Sequence, residues 1–203
     1  MFAFFYKYMK LFVFTDLHED LTIFRRIEEK VKKEKPDLIL CAGDYTVFEQ
    51  HITEMSEKIS KLGKVFLIHG NHETELIAKK LCEKNKITFL HKKVQIIGDY
   101  AFVGFGSLGF DMTSKEFDLF INKIKPKLKD KKIVLLTHAP FYNTKLDNIW
   151  KQHRGNKSFT KFIKNNNVVL GVCGHFHETF KKKDKLGRAL LINPGPDGEI
   201  LII

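Results

Sequence analysis

Eight side chains able to bind a divalent metal or move a proton stand just behind short apolar runs. Asp16 and His18 follow residues 11–15, Asp44 follows 38–42, Asn71 and His72 follow 65–69, His138 follows 133–137, and His175 and His177 follow 168–173. The runs are rich in β-branched or aromatic residues and end at polar or glycine positions, which reads as a set of buried strands. In an α/β sheet the carboxyl ends of strands open on one crevice, so side chains far apart in sequence are delivered to one place. Histidines scattered without purpose would not collect at strand ends.

The donor set makes chemical sense as a two-metal centre. Imidazole nitrogens and carboxylate oxygens without thiolates suit Mn, Fe, Zn, Ni or Co better than a purely hard Mg or Ca site. In Asp16-Leu17-His18 and His175-Phe176-His177, alternation puts both outer residues on one side wherever the backbone is extended. Gly43, Gly70 and Gly174 stand immediately before Asp44, Asn71 and His175, where they permit a sharp turn or a close approach. Two divalent cations, two aspartates and one bridging hydroxide sum to roughly +1. A phosphodiester anion would about neutralise such a site.

The elements that must position these groups alternate in type. Amphipathic stretches of helical period lie at 21–33, 49–62, 73–84 and 114–125, the last with Thr113 or Ser114 as its cap. Strand and helix in turn give the α/β class. Denser strand regions at 87–104 and 178–203 predict two sheets rather than one. No linker, low-complexity tract or internal repeat divides the 203 residues, and 43% hydrophobic residues can fill a core, so residues 1–203 are read as one domain. The first eight residues read as an extension preceding the first strand, with translation expected to begin at Met9. Residues 1–9 lack a basic leader and a cleavage site and are too short to span a bilayer.

The net charge of +11 is compatible with an anionic partner such as nucleic acid, a membrane surface or a phosphorylated substrate. It is mostly lysine in Lys-Glu-rich stretches such as 28–35, and solvated helix faces are the preferred reading. Cys41, Cys82 and Cys173 are odd in number, far apart and lack CxxC spacing, which suggests neither a disulfide framework nor a structural zinc site and fits a reducing cytoplasm.

The ordered segments Asp16-Leu17-His18, Gly43-Asp44, Gly70-Asn71-His72-Glu73, His138 and Gly174-His175-Phe176-His177 resemble the signature of the calcineurin-like metallophosphoesterase superfamily. The resemblance runs from about Met9 to the end of the chain. It implies a four-layer α/β/β/α sandwich of two mixed sheets and a metal-dependent phosphoric ester hydrolase. The cofactors would be two divalent transition-metal ions, manganese before iron, zinc, nickel or cobalt. Carried over by residue, Asp16, His18 and His177 would hold the first metal and Asn71, His138 and His175 the second, with Asp44 shared. His72 is similar to the family's catalytic histidine, which contacts phosphate or protonates the leaving oxygen. The implied reaction is in-line attack of metal-bound hydroxide on a phosphodiester or phosphomonoester.

Two positions depart from the family pattern. Glu19-Asp20 stands where many members have glycine, either narrowing the entrance or, the preferred reading, capping the next helix. Val47 stands where some members carry an acid that orients the catalytic histidine. Glu49, Glu73 or a backbone carbonyl is expected in its place. His51, His91 and His153 read as surface residues, and His69 as a hydrogen-bonded neighbour of the site. Gly104 to Gly109 matches GxGxxG but reads as a loop near the site, not a nucleotide fingerprint. Arg154 and Asn156 read by default as helix-end or surface groups, and Asn193-Pro194-Gly195 resembles a turn of small phosphodiesterase-like members beside His177. The substrate is expected to be a phosphate-ester small molecule or nucleotide, diester before monoester. Alternatives are a nuclease or nucleotide hydrolase, for which only the basic surface speaks, and a non-catalytic protein-binding scaffold, which retained ligands argue against. No membrane partner is expected.

Overall fold

Side-chain alternation along the strands decides the architecture. The computed structural model describes residues 8–203, and residues 1–7 of the expected N-terminal extension lie outside it. The chain runs β1 (Lys10–Phe14), α1 (Leu21–Glu34), β2 (Leu38–Cys41), α2 (Ile52–Ser60), β3 (Val65–Leu67), α3 (Glu75–Lys84) and β4 (Thr88–Phe89). It continues through β5 (Lys93–Ile97), β6 (Tyr100–Phe105), α4 (Lys115–Ile124), β7 (Lys132–Thr137), β8 (Asn148–Ile149), β9 (Gln152–His153) and α5 (Lys157–Asn165). It ends with β10 (Val168–Val172), β11 (Lys183–Leu186), β12 (Ala189–Ile192) and β13 (Glu199–Ile202).

Two mixed sheets form. In the first, β1 to β4 are parallel and β13 adds antiparallel beside β1. In the second, ordered β11-β12-β10-β7-β6-β5, the four inner strands are parallel and both edge strands antiparallel. Leu11, Val13, Leu38, Leu40 and Phe66 of one sheet meet Phe102, Val134, Leu136, Leu170 and Val172 of the other. The alternate residues Phe12, Phe14, Ile39, Cys41 and Leu67 face α1, α2 and α3. Val103, Phe105, Ile133 and Leu135 face Phe117 and Phe120 of α4 and Phe159 and Phe162 of α5. Strands buried on both faces are near-continuously apolar for this reason, and four layers α/β/β/α result. No helix among the described residues is long and apolar enough to cross a membrane.

The helices start where their caps allow. Asp20 accepts from the backbone N–H of Thr22 and Ile23, both at 2.9 Å, so the Glu19-Asp20 departure supplies the cap of α1. Ser114, rather than Thr113, caps α4. The expected helix 49–62 begins only at Ile52, because Phe48, Glu49 and His51 all have positive φ. Helix α5 was not anticipated. Its signal is Phe159, Phe162 and Ile163 at i, i+3, i+4 behind Asn156, an N-cap favoured by its polar side chain.

Asn156 is fully buried, accepts from Ser158 N and Phe159 N at 2.9 and 3.2 Å, and donates to the Asp111 carbonyl at 2.7 Å. Asn156→Ala is therefore expected to lower stability by about 1–2 kcal/mol in chemical denaturation. An unchanged midpoint would contradict this capping role.

Candidate metal centre

The loops after β1, β2, β3, β7 and β10 meet above the strand ends and bring all eight predicted side chains together. Three overlapping groups place one donor atom per residue within 4.8 Å of the others: Asp16, His18 and His177; His18, Asp44 and His72; and Asp44, His138 and His175. Asn71 joins the last group through Oδ1, 2.9 Å from His138 Nε2, which also lies 3.2 Å from Asp44 Oδ2. His177 Nε2 is 3.5 Å from Asp16 Oδ1 and 3.3 Å from His18 Nε2.

The outer ring nitrogens set which atoms face inward. His18 Nδ1 donates to the Thr46 carbonyl at 3.2 Å and His138 Nδ1 to the Ala42 carbonyl at 2.8 Å. A neutral imidazole that donates at Nδ1 keeps its lone pair at Nε2, the atom here turned to the cluster. His175 Nε2 is buried and has no hydrogen-bond partner among the described residues. Inward lone pairs, carboxylate oxygens and an orphaned nitrogen are the donor set of a borderline transition metal, so the residues fit such an ion.

The backbone beneath is not extended as alternation required. Asp16, His18, Asp44 and His175 have φ of 52°, 46°, 50° and 70°, and tight turns rather than strand pleating bring the side chains to one side. These left-handed conformations are unfavourable for non-glycine residues and recur at functional sites. Close approach accounts for the glycines. A Cβ on Gly70 would lie 2.0 Å from Asp44 Oδ1, and one on Gly174 would lie 2.0 Å from Thr15 Oγ1.

At the Asp44–His138 pair burial opposes both charges, yet the partners prevail. Asp44 is held down to about 2 against its burial by the hydrogen bond and attraction of His138, which the same contact raises to about 9. Metal binding at such a pair displaces that proton. Burial and the neighbouring His138 push His175 down to about 4, leaving it neutral at physiological pH.

His72 is held in an unexpected way. Among the described residues neither Glu49 nor Glu73 nor a carbonyl bonds its ring; instead the Phe48 N–H donates to Nδ1 at 3.3 Å, and the Phe48 ring packs on the imidazole at 4.2 Å between centroids. Accepting at Nδ1 leaves the proton of the neutral ring on Nε2, which lies 3.9 Å from Asp44 Oδ2 and faces the cluster. Glu49 accepts instead from Thr74 N. Glu73 is buried and accepts from Asp44 N, Thr46 N, Thr46 Oγ1 and Gly70 N at 3.0, 2.9, 2.8 and 2.9 Å. Burial and the Asp44 charge push it up to about 7, opposed by these donors.

Other expectations divide. His91 is buried, not on the surface: its Nδ1 accepts from Gly106 N at 2.8 Å and its ring meets that of His69. His69 is the expected hydrogen-bonded neighbour, donating from Nδ1 to the Gly70 carbonyl. His153 is half-buried on Asp147, and His51 is exposed. The GxGxxG segment begins in β6 with Gly104 and Phe105, and only residues 106–109 form the expected loop at the site, bringing Gly109 and the following Phe110 against His175. Asn193 donates to the Phe176 carbonyl and to Thr179 Oγ1, fixing the turn that carries His177. Thr15 and Thr46 are supporting residues that spacing did not single out, and Glu73 supports the loops of Asp44 and Gly70 instead of the His72 ring.

A sequence model of the calcineurin-like phosphoesterase family matches residues 9–179. None of the curated proteins matches the chain in sequence. One solved chain superposes with a TM-score of 0.78 at 16% identity, covering 97% of this chain and 98% of its own. TT1561 of Thermus thermophilus superposes at 0.75 with 15% identity, over 92% of this chain and 89% of that one. A dimetal phosphatase from Danio rerio gives 0.61 at 12% identity, over 91% and 86%. At these identities the likeness is one of fold.

Glu73→Gln would turn an amide NH₂ toward backbone donors that now meet a carboxylate oxygen. The expected result is a loss of about 1–3 kcal/mol in denaturant unfolding, together with weaker metal binding in titration calorimetry. Wild-type values for both would overturn the brace assigned to Glu73.

Proposed function

Because the chain belongs to the calcineurin-like phosphoesterase family, we propose that it hydrolyses a phosphate ester at a pair of divalent transition-metal ions. Asp16, His18 and His177 would hold one ion, Asn71, His138 and His175 the other, and Asp44 both. The observation that carries this reading is the overlap of the donor groups around Asp16 and around Asp44, linked by His18. Manganese is the first candidate, with iron, zinc, nickel and cobalt behind it, since the donors are nitrogen and oxygen without sulfur. Such a pair of ions, when bound, lowers the pKa of a water and neutralises charge on phosphoryl oxygens.

The chain's own groups do the rest. His72 presents a proton on Nε2 beside the shared carboxylate, where it donates to a phosphoryl oxygen or to the departing alcohol. The Phe48 N–H keeps the proton on that atom. Asn71, as a neutral ligand, leaves the loaded site roughly +1, which one diester anion matches; a diester is therefore the preferred substrate over a monoester. Residues 1–203 act as one domain in this reading. The cytoplasm is the proposed location, supported by three buried cysteines that form no disulfide. Retention of every donor argues against a scaffold without catalysis.

Metal analysis and hydrolysis of generic mono- and diesters with added manganese test the reading. His72→Ala is expected to keep both metals and lose about 10²- to 10⁴-fold in rate, most with poor leaving groups. Asp44→Asn is expected to lose metal. Full occupancy in Asp44→Asn would rule out the shared ligand, and an undiminished rate in His72→Ala would remove the proton-donor role.

A further inference from the structure

A second feature is built beside the metal centre from residues 141–156. Asp147 is fully buried and accepts from Asn143 N, Thr144 N, Gly155 N and His153 Nδ1 at 3.0, 2.8, 2.9 and 2.7 Å. This carboxylate anchors the β8–β9 hairpin, whose two-residue corner is Trp150-Lys151. Both corner residues have positive φ, 48° and 64°, in a turn type that ordinarily takes Asn-Gly. A bulky tryptophan there is an unfavourable choice for folding. It also gains little from burial, since Trp150 is 90% exposed.

What the corner achieves is placement. Trp150, Ile149, Arg154 and Phe110 line a recess of about 220 Å³. Phe110, itself 67% exposed, meets the His175 ring edge-on with centroids 4.8 Å apart. One wall of the recess is therefore also a wall of the metal centre. The volume falls below the roughly 300–1,000 Å³ of sites that enclose a whole small molecule, which suits one ring system attached to a group held elsewhere. Arg154 and Gln152 are hydrogen-bonded to each other through their side chains, adding planar polar groups beside the rings. Exposed aromatics with an adjacent guanidinium are how proteins stack bases and draw in their phosphates.

We propose that this recess is a nucleobase subsite, so that the preferred ester is a phosphodiester carrying a nucleoside, its base stacked on Trp150 and Phe110 while the phosphate lies at the metal centre. The proposal rests on the phosphoesterase reading and extends it to the choice of ester. A free nucleotide ester and the end of a single strand offer the same base.

Two measurements separate the proposal from that reading. Trp150 is the chain's only tryptophan, so its fluorescence reports the recess without any turnover. Thymidine 5′-monophosphate is expected to quench it saturably, and methyl phosphate is not. In hydrolysis, thymidine 5′-(p-nitrophenyl phosphate) and methyl p-nitrophenyl phosphate share charge and leaving group and differ in the nucleoside. The wild type is expected to favour the nucleoside ester by about 5- to 100-fold in kcat/KM. Trp150→Ala and Phe110→Ala should each shrink that ratio, and Trp150→Phe should preserve most of it. Equal use of the two esters without quenching overturns the subsite while leaving the phosphoesterase reading intact. Quenching without turnover of either ester supports the subsite and removes the reading beneath it. With a short oligothymidylate ending in the same p-nitrophenyl ester, higher kcat/KM that falls steeply with salt supports the subsite as one for strand ends. Higher kcat/KM on the mononucleotide ester supports it as one for free nucleotides.

Discussion

The buried carboxylate of Glu73 is the point on which the two central loops of the site depend. It collects the N–H groups of Asp44, Thr46 and Gly70 and the Thr46 hydroxyl, donors that a loop turned away from regular structure would otherwise leave unpaired out of water. An unsatisfied buried donor costs on the order of 1–3 kcal/mol, and four meet one acceptor here. The braced loops lie so close that a Cβ on Gly43 would come within 2.5 Å of Gly70 N. Asp44 is thereby fixed with its Oδ1 on the His72 N–H and its Oδ2 toward His138. From that carboxylate the rest of the cluster takes its geometry.

Strain and support are distributed in the same pattern over the other loops. Asp16 and His175 occupy left-handed conformations, and the His175 N–H donates to both Asp16 oxygens at 3.2 and 3.1 Å, tying the end of β1 to the end of β10. Asp147 repeats the device below the β8–β9 corner, one buried carboxylate holding several loop N–H groups. The strained backbone at these places persists because packed sheets on one side and carboxylate acceptors on the other over-determine it. Loops positioned this rigidly can carry chemistry at their exposed tips.

Much of this was legible in the sequence because buried strands and metal-binding side chains leave strong local marks. The apolar runs marked β1, β2, β3, β7 and β10 to within two residues, while β6 and β12 lay inside undivided strand regions, and the polar groups behind those five runs marked the cluster. What escaped was determined by contacts between distant segments. No pattern within residues 44–49 announces that the Phe48 N–H will meet His72. His91 sits in a lysine-rich stretch and reads as exposed until β6 and the Gly106 loop close over it. Glu73 was visible as a charged neighbour of His72, but its burial follows from the meeting of the β2 and β3 loops. Helix α5 is a different case: its apolar spacing and cap were present, and the short stretch between asparagines obscured them.

The central claim is that two metal ions share the Asp44 carboxylate. Anomalous diffraction from crystals of the protein loaded with manganese tests it most directly. The account predicts two peaks about 3.5–4 Å apart, one among Asp16, His18 and His177, the other among Asn71, His138 and His175, with Asp44 between them. A single peak, or a pair that leaves Asp44 outside the coordination of either ion, would contradict it.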